Sequence, residues 1–411
     1  MKVASLKTGS AQTGTLKIVA DENIVAVEDL FRQHGELRLL PGRQICAADV
    51  RDADVLLVRS ITRVDRALLE GSRVRFVATA TSGTDHLDLS YLRAEGIGVS
   101  DAAGSNANAV VEYCLSGIAE LICRGVFSLR GQRAAIIGFG HVGRGFYRRL
   151  RDLNIDCVVC DPFVERQQGR GEEFADVRFC DLETALSASL ISLHTPLSRD
   201  GEHPTWHLLN QQRLERIAPG TLLINASRGE VVDNVALLKR LERDNDLLTL
   251  WDVWENEPDI SRDLLALVNL GTPHIAGYSV EAKRSASERN YEAFLRFFNL
   301  TANPASHSVA ESKTEMAVRL AQMQRSEVSN PTERVWAECL RAAFSVNAVD
   351  QRLRGASSTN GAAVFDDIRK ILSARREFSH YTFHQGLLEK GLLTPAIATR
   401  LTAVGFSFAT V

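Results

Sequence analysis

Apolar runs that do not alternate cleanly with polar residues recur along most of the chain, each followed by a break and then by a stretch of helical spacing. "TLKIVAD", "LRLLPG", "DVLLVRS" and "VRFVATA" lack the one-in, one-out pattern of a strand with a wet face, so they predict strands of a sheet covered on both sides. Between them, "IVAVEDLFRQHG" predicts a helix ended by Gly35, and "RVDRALLEG" predicts a second. A small parallel α/β unit is expected over residues 18–104.

A second series follows. "RAAIIGFGHVGRGFYRRLRDL" reads as strand, glycine turn and helix, and "IDCVVCD", "ASLISLHTP", "TLLINAS" and "LTLWDVW" read as further strands. Helical "LNQQRLERI" and "NVALLKRLERD" separate the later ones, and "GTPHIAG" closes the series. "NANAVVEYCLSGIAELICRG" has few outward polar positions and predicts a long helix packed between domains. From residue 281, "VEAKRSASERNYEAFLRFF" predicts a helix crossing back toward the first unit.

The tail breaks the repeat. "PTERVWAECLRAAF" and "AVFDDIRKILSARREF" predict helices, "HYTFHQ" a short strand, "PAIATRLTAVGFSF" a helix entering a strand, and "RGASSTNGA" a loop. The expected fold class is α/β: two Rossmann-like domains with parallel sheets, plus a C-terminal α+β domain. Residues 18–104 with 281–298 make the first domain, 105–280 the second and 299–411 the third.

A chain of 411 residues needs more than one hydrophobic core. Its 48 basic and 51 acidic side chains leave a net charge of -3, which gives no bulk reason for a nucleic-acid or membrane partner. Seven cysteines, an odd count, argue for a reducing compartment. Cys157 and Cys160 have CxxC spacing, but on a strand residues three apart point to opposite faces, so no metal or redox role is expected. Glu112 and Glu120 interrupt the most apolar helix, and the Ser/Thr/Gly-rich lead lacks a secretory core. Cytoplasm is the expected location.

"IIGFGHVGRG" supplies Gly138, Gly140 and Gly143 in the GxGxxG spacing between a strand and a helix. The first glycine permits a tight turn, the second lets a pyrophosphate approach the backbone, and the third lets the helix pack on the strand. The next strand ends in Asp161, where a carboxylate meets the ribose hydroxyls of NAD and repels a 2'-phosphate. NAD is therefore expected over NADP, with only Arg166 nearby to offset that charge.

Ligands of open α/β sheets bind beyond the carboxyl ends of the strands. "INASRG" puts Arg228 there, "WDVWENEP" puts Asp252 and Glu257 there, and "GTPHIAG" puts His274 there. A guanidinium can grip a carboxylate through two bonds, and a histidine backed by a carboxylate suits the proton transfer that accompanies hydride transfer. His86, after "TSGTD", is the rival histidine and reads as a turn residue.

"GFGHVG", Asp161, "SRGEVVDN", "DVWENEP" and "PHIAG" together resemble the D-isomer-specific 2-hydroxyacid dehydrogenase family over residues 18–298. The resemblance implies that Arg228 binds the substrate carboxylate, Glu257 supports the histidine and His274 is the acid/base. It implies cofactor contacts at Gly138, Gly140, His141, Val142, Gly143, Asp161, Thr195, Ala226, Ser227, Arg228, Asp252, Gly277 and Tyr278. "LLVRSITRVDRALLEG", "FVATATSGTDHLD" and "HIAGYSVEAK" narrow the resemblance to a branch acting on a phosphorylated hydroxyacid, in which the C-terminal α+β domain is a dimerisation domain. A homodimer is thus implied, with Ser60 and Thr81 on the substrate. Ser227 departs from that branch's pattern, which has a cysteine before the arginine. Arg59 is the further candidate for the substrate phosphate, with Arg63 assisting and Arg375 and Arg376 as distant candidates. Two rival readings stay open: another member of the family, such as a 3-phosphoglycerate dehydrogenase, and a non-catalytic NAD-binding regulator.

Overall fold

Five parallel strands carry the first unit: β1 (Leu16–Asp21), β2 (Gly35–Leu40), β3 (Val55–Val58), β4 (Phe76–Thr79) and β5 (Gly98–Asp101), in the order β2-β1-β3-β4-β5. All four residues of β3 and of β4 are buried, the signature of a sheet covered on both faces. The computed structural model describes residues 15–167, 174–301, 313–316, 331–355 and 361–409. The lead before Thr15 and the centre of the predicted "RGASSTNGA" loop lie outside them. The first unit comprises Met1–Asn106 and Val280–Glu311, and its core is finished by the helix Val280–Phe298. Tyr291 and Phe294 of that helix meet Phe31 edge-on, at 5.4 and 5.2 Å between ring centroids.

The helical run ends at Gly35 as expected, though its last turn is a 3-10 turn. The α-helix stops at Phe31, a 3-10 turn covers Arg32–His34, and Gly35 opens β2 with an extended backbone. A Cβ at Gly35 would stand 2.1 Å from the Leu16 carbonyl oxygen, so the glycine is there for the approach of two strands. Close packing between strands, invisible to local periodicity, set the boundary.

The second unit, Ala107–Ser279 with Ser312–Val411, holds six parallel strands. They are β6 (Arg133–Ile137), β7 (Asp156–Cys160), β8 (Leu190–Leu193), β9 (Leu222–Asn225), β10 (Leu248–Trp251) and β11 (Leu270–Gly271), ordered β11-β10-β9-β8-β6-β7. The order reverses at β6, which pairs with β7 on one side and β8 on the other. Such a reversal opens a crevice beyond the strand ends. Register fixes what stands there: Ile137 pairs with Cys160 and Leu193, Leu193 with Asn225, Asn225 with Trp251, and Trp251 with Gly271. The residues that follow, Gly138, Asp161, His194, Ala226, Asp252 and Thr272, therefore leave the sheet along one edge.

The C-terminal elements share a continuous core with this sheet. Trp336, Phe365, Phe378, Phe383 and Phe406 belong to the same buried cluster as Leu115, Ile118 and the strand residues. A three-stranded sheet, β12 (Thr314–Glu315), β13 (Tyr381–His384) and β14 (Ser407–Ala409), adds to it. The link is the helix Ala107–Cys123, buried nearly all round. A Cβ at its Gly117 would meet the Leu250 side chain at 2.3 Å on the sheet side. Among the described residues, no helix is long and apolar enough to cross a membrane.

That helix buries two carboxylates. Glu120 pairs with Arg341 at 3.0 Å and Arg124 at 3.2 Å. Glu112 accepts from the Phe378 amide at 2.8 Å and from Asn108 at 2.9 Å, and burial pushes its carboxyl up from 4.5 to about 8. The raised value has a sign: above about pH 4.5 the unfolded chain releases a proton that the folded chain keeps. Stability is thus lost as pH climbs toward about 8, by at most ~1.4 kcal/mol per pH unit. Glu112→Gln is expected to flatten the denaturation midpoint measured against pH across this window; an unchanged slope would place the pH dependence elsewhere.

Candidate active site

The glycine loop sits at the reversal point of the second unit's sheet. Gly138 has φ +91, a backbone that favours glycine, and a Cβ there would stand 2.7 Å from the His194 carbonyl. At Gly143 a Cβ would stand 2.0 Å from the Gly138 oxygen, so helix and strand meet with no room for a side chain. Gly140 differs, because a Cβ there meets nothing within 4 Å. Its backbone faces open space at the N-terminus of the helix His141–Asp152, where an anion gains from the orphan amides.

Asp161 is held by three backbone amides: Phe139 at 2.8 Å, Phe163 at 3.1 Å and Val164 at 3.0 Å. These fix the carboxylate beside the glycine loop while leaving acceptor capacity for hydroxyls. Arg166 is occupied by Glu202, at 2.8 Å through one nitrogen, so it is not presented to a 2'-phosphate. Thr195 Oγ1 is buried without a hydrogen-bond partner among the described residues, an orphan that a bound cofactor would satisfy. Beside it His194 places Nε2 2.8 Å from Ser192 Oγ, and burial of the ring drives its pKa down to about 3, which keeps it neutral. These features fit a dinucleotide lying across the sheet edge.

Arg228 follows β9 in a turn shaped by Asn225. Asn225 Oδ1 accepts from the Ser227 amide at 3.2 Å and hydroxyl at 2.9 Å, and Asn225 Nδ2 donates to the Arg228 carbonyl oxygen at 3.1 Å. The half-buried guanidinium donates to the Ser227 oxygen at 2.8 Å. Gly229 has a reason the sequence did not show: a Cβ there would stand 2.0 Å from the Trp254 carbonyl group. The arginine turn thus lies directly against the backbone of the segment that carries Glu257. Asn234 ties the two, donating to the Gly229 oxygen at 3.2 Å and accepting from the Glu255 amide at 3.3 Å.

Asp252 is buried and accepts from Thr272 Oγ1 at 2.6 Å, the Ile275 amide at 2.8 Å and the Ala276 amide at 2.8 Å. Burial raises its pKa, and His274 with these bonds pulls it back. Asp252 therefore folds the loop after β11 around itself. His274, with φ 54, donates its amide to the Asp252 carbonyl at 2.7 Å. Its Nδ1 lies 2.7 Å from Glu257 Oε2, and Glu257 Oε1 accepts from the Trp254 amide at 2.8 Å. Tyr278, three residues after Ile275, receives two bonds on its hydroxyl from Arg369, at 3.1 and 2.8 Å. Gly277 lies between, half-buried.

The candidates of the first unit stand at its own strand ends. Arg59 follows β3 and is anchored by Nε to the buried Asp21 at 2.8 Å. Ser60 is exposed. Thr81, two residues beyond β4, shares a hydroxyl chain with Thr79 at 2.8 Å, and Thr79 in turn lies 2.9 Å from His86 Nε2. His86 is accordingly a turn residue bound to Thr79, its pKa lowered by burial. Arg63 pairs with Asp65 at 2.9 Å, and its side chain is 84% exposed.

Arg375 corrects an expectation. It is 7% exposed, donates to the carbonyl oxygens of Ala276 and Ala109, and lies 4.1 Å from the Phe344 ring, which removes it as a phosphate neighbour at a surface. Arg376 is half-buried. Sequence reasoning also missed Asn225 and Asn234, although both follow directly from "LINASRGEVVDN", where polar amides stand at a strand end and a helix start. Cys157 and Cys160 are both buried thiols raised by burial to about 12.

Residues 121–276 match the model of the NAD-binding domain of D-isomer-specific 2-hydroxyacid dehydrogenases. The chain is 44% identical over 369 residues to erythronate-4-phosphate dehydrogenase of Chromohalobacter salexigens, covering 89% of this chain and 92% of that one. It is 45% identical over 364 residues to the enzyme of that name from Pseudomonas entomophila, covering 88% and 92%. Among solved structures, D-lactate dehydrogenase from Aquifex aeolicus, complexed with NAD and lactic acid, is similar in fold with a TM-score of 0.55 at 20% identity, covering 69% of this chain and 96% of that one. NAD-dependent formate dehydrogenase from Staphylococcus aureus gives a TM-score of 0.54 at 23% identity, covering 69% and 96%. The protein is an NAD-dependent oxidoreductase, and its chain belongs to the erythronate-4-phosphate dehydrogenase family within the D-isomer-specific 2-hydroxyacid dehydrogenases.

Proposed function

We propose that the protein oxidises 4-phospho-D-erythronate at C2 to 2-oxo-3-hydroxy-4-phosphobutanoate, a step toward pyridoxal 5'-phosphate, vitamin B6. The observation that carries the reading is the 2.7 Å bond from His274 Nδ1 to Glu257, made on a segment packed against the turn of Arg228. With Nδ1 committed to the carboxylate, Nε2 takes the proton from the C2 hydroxyl as the carbonyl forms, and Glu257 stabilises the imidazolium that results. Arg228 grips the substrate carboxylate and draws electron density onto the developing carbonyl oxygen. NAD, when bound, supplies the acceptor for the hydride that leaves C2. Gly138, Gly140, His141, Val142 and Gly143 receive its pyrophosphate and Asp161 its ribose. Thr195, Ala226, Ser227, Asp252, Gly277 and Tyr278 line its remaining length. Arg59, Ser60 and Thr81 are further residues for the substrate. The C-terminal residues form a homodimer interface, and the enzyme works in the cytoplasm.

The test is steady-state turnover of 4-phospho-D-erythronate beside D-erythronate and 3-phosphoglycerate, with and without added 2-oxo acids as electron acceptors. The acceptors matter because NADH that fails to exchange would hide activity in an assay with NAD alone. Preference for the 4-phosphorylated acid is expected; equal or better turnover of 3-phosphoglycerate would move the assignment to another member of the family.

A further inference from the structure

We propose that Arg375 is a positioning residue, and that through it the C-terminal segment builds the active-site loop of its own subunit in addition to any interface it forms; this rests on the reading of His274 as the acid/base. The peptide of Ala276 is gripped from both ends. Its amide donates to Asp252 at 2.8 Å, and its carbonyl accepts from Arg375 Nη1 at 3.1 Å. Ala276 stands two residues after His274 and immediately before Gly277 and Tyr278. The other Nη of Arg375 donates to the Ala109 carbonyl at 2.9 Å, so the loop is pinned to the first turn of the long central helix.

Neighbouring contacts repeat the pattern. Ser279 Oγ donates to Glu377 Oε1 at 2.7 Å, Asn108 donates to Glu377 Oε2 at 2.7 Å, and Arg369 donates to the Tyr278 hydroxyl. Three residues of the loop, Ala276, Tyr278 and Ser279, thus take partners from Arg375, Arg369 and Glu377. A buried guanidinium carries a desolvation penalty that an apolar side chain filling the same space would avoid. The guanidinium does what an apolar residue cannot: it satisfies two buried carbonyls on different elements, Ala276 and Ala109. Glu112, Glu377 and Asp252 are the carboxylates whose fields reach Arg375, and Glu377 and Asp252 also bond the same loop.

The experiment compares full-length wild type with Arg375→Met, which keeps the stem and removes the donors, and Arg375→Lys, which keeps charge but reaches one carbonyl. Amide hydrogen exchange over Ile275–Ser279, kcat, KM, NADH affinity and the primary isotope effect with C2-deuterated substrate are measured well below the Tm of each variant. Arg375→Met is expected to speed exchange in that segment selectively, lower kcat by about 10- to 100-fold and raise the isotope effect, since a misplaced base slows the chemical step. Arg375→Lys is expected to recover part of kcat, with NADH affinity falling less than kcat in both variants, because the glycine loop and Asp161 are untouched while only Gly277 and Tyr278 move with the loop. If the methionine variant fails to fold, the lysine variant decides alone: unchanged loop exchange and unchanged kcat overturn the proposal. A fall in Tm with kcat intact overturns it as well, leaving Arg375 a packing residue. Wild type inactive on every 2-hydroxy acid would overturn the catalytic reading separately, while the exchange data would still say whether Arg375 holds the loop.

Discussion

Arg228→Ala is expected to lower kcat/KM for the phosphorylated acid by two to four orders of magnitude, about 3 to 5 kcal/mol of transition-state stabilisation. The estimate follows from two charge-assisted bonds lost together with the group that polarises the carbonyl. Both kcat and KM should suffer, because the same guanidinium holds the ground state and the transition state. Arg228→Lys is expected to recover little, since an ammonium cannot span a carboxylate through a planar fork. The surrounding geometry makes the loss specific. Asn225 shapes the turn through the backbone and side chain of Ser227 and the Arg228 carbonyl, so removing the guanidinium leaves that scaffold bonded. An alanine variant that oxidises the acid at the parental rate would withdraw Arg228 from the reaction altogether.

His274→Ala should reduce kcat by about 10²- to 10⁴-fold, the usual worth of a positioned acid/base, while leaving NADH affinity close to the parental value. Its contacts support the separation. His274 bonds to Glu257 and, through its amide, to Asp252, and the ribose and pyrophosphate contacts proposed for the cofactor lie at the far strands, β6 and β7. Fluorescence titration with NADH beside single-turnover kinetics checks both halves of the expectation. Selective loss of cofactor affinity with the chemical step intact would make the histidine a structural residue of the loop. Glu257→Gln tests the same pair from the other side, since an amide can still bond Nδ1 but offers no charge to the imidazolium. A smaller fall than for His274→Ala is expected.

Much of the architecture was legible because parallel strands buried on both faces write themselves as short apolar runs. β3, β4, β8 and β9 are such runs, each buried at all four positions. The glycine loop was legible for a different reason: its spacing marks a positive-φ turn at Gly138 and a close approach at Gly143, while Gly140 leaves open space at the helix N-terminus. The steric reason for Gly35 was missed, since the Leu16 carbonyl that requires it lies on another strand, as the Trp254 carbonyl that requires Gly229 lies on another segment. Arg375 was misread more fully. Beside Arg376 it looks like a solvated pair, and only long-range packing shows two carbonyls and an aromatic ring around it.

Residue types and their order along the chain determined the fold class and the glycine loop and named Arg228, Glu257 and His274 as candidates, because periodicity, turn chemistry and side-chain reactivity are local properties. Tertiary structure alone decided that Ile137, Cys160, Leu193, Asn225, Trp251 and Gly271 share one register, so that the residues after them leave the sheet along a single edge. It alone decided that Glu257 meets Nδ1 of His274 and that a C-terminal arginine closes the Ala276 peptide. The physical reason is that these are hydrogen bonds between groups far apart in sequence, whose partners are chosen by burial of the whole core.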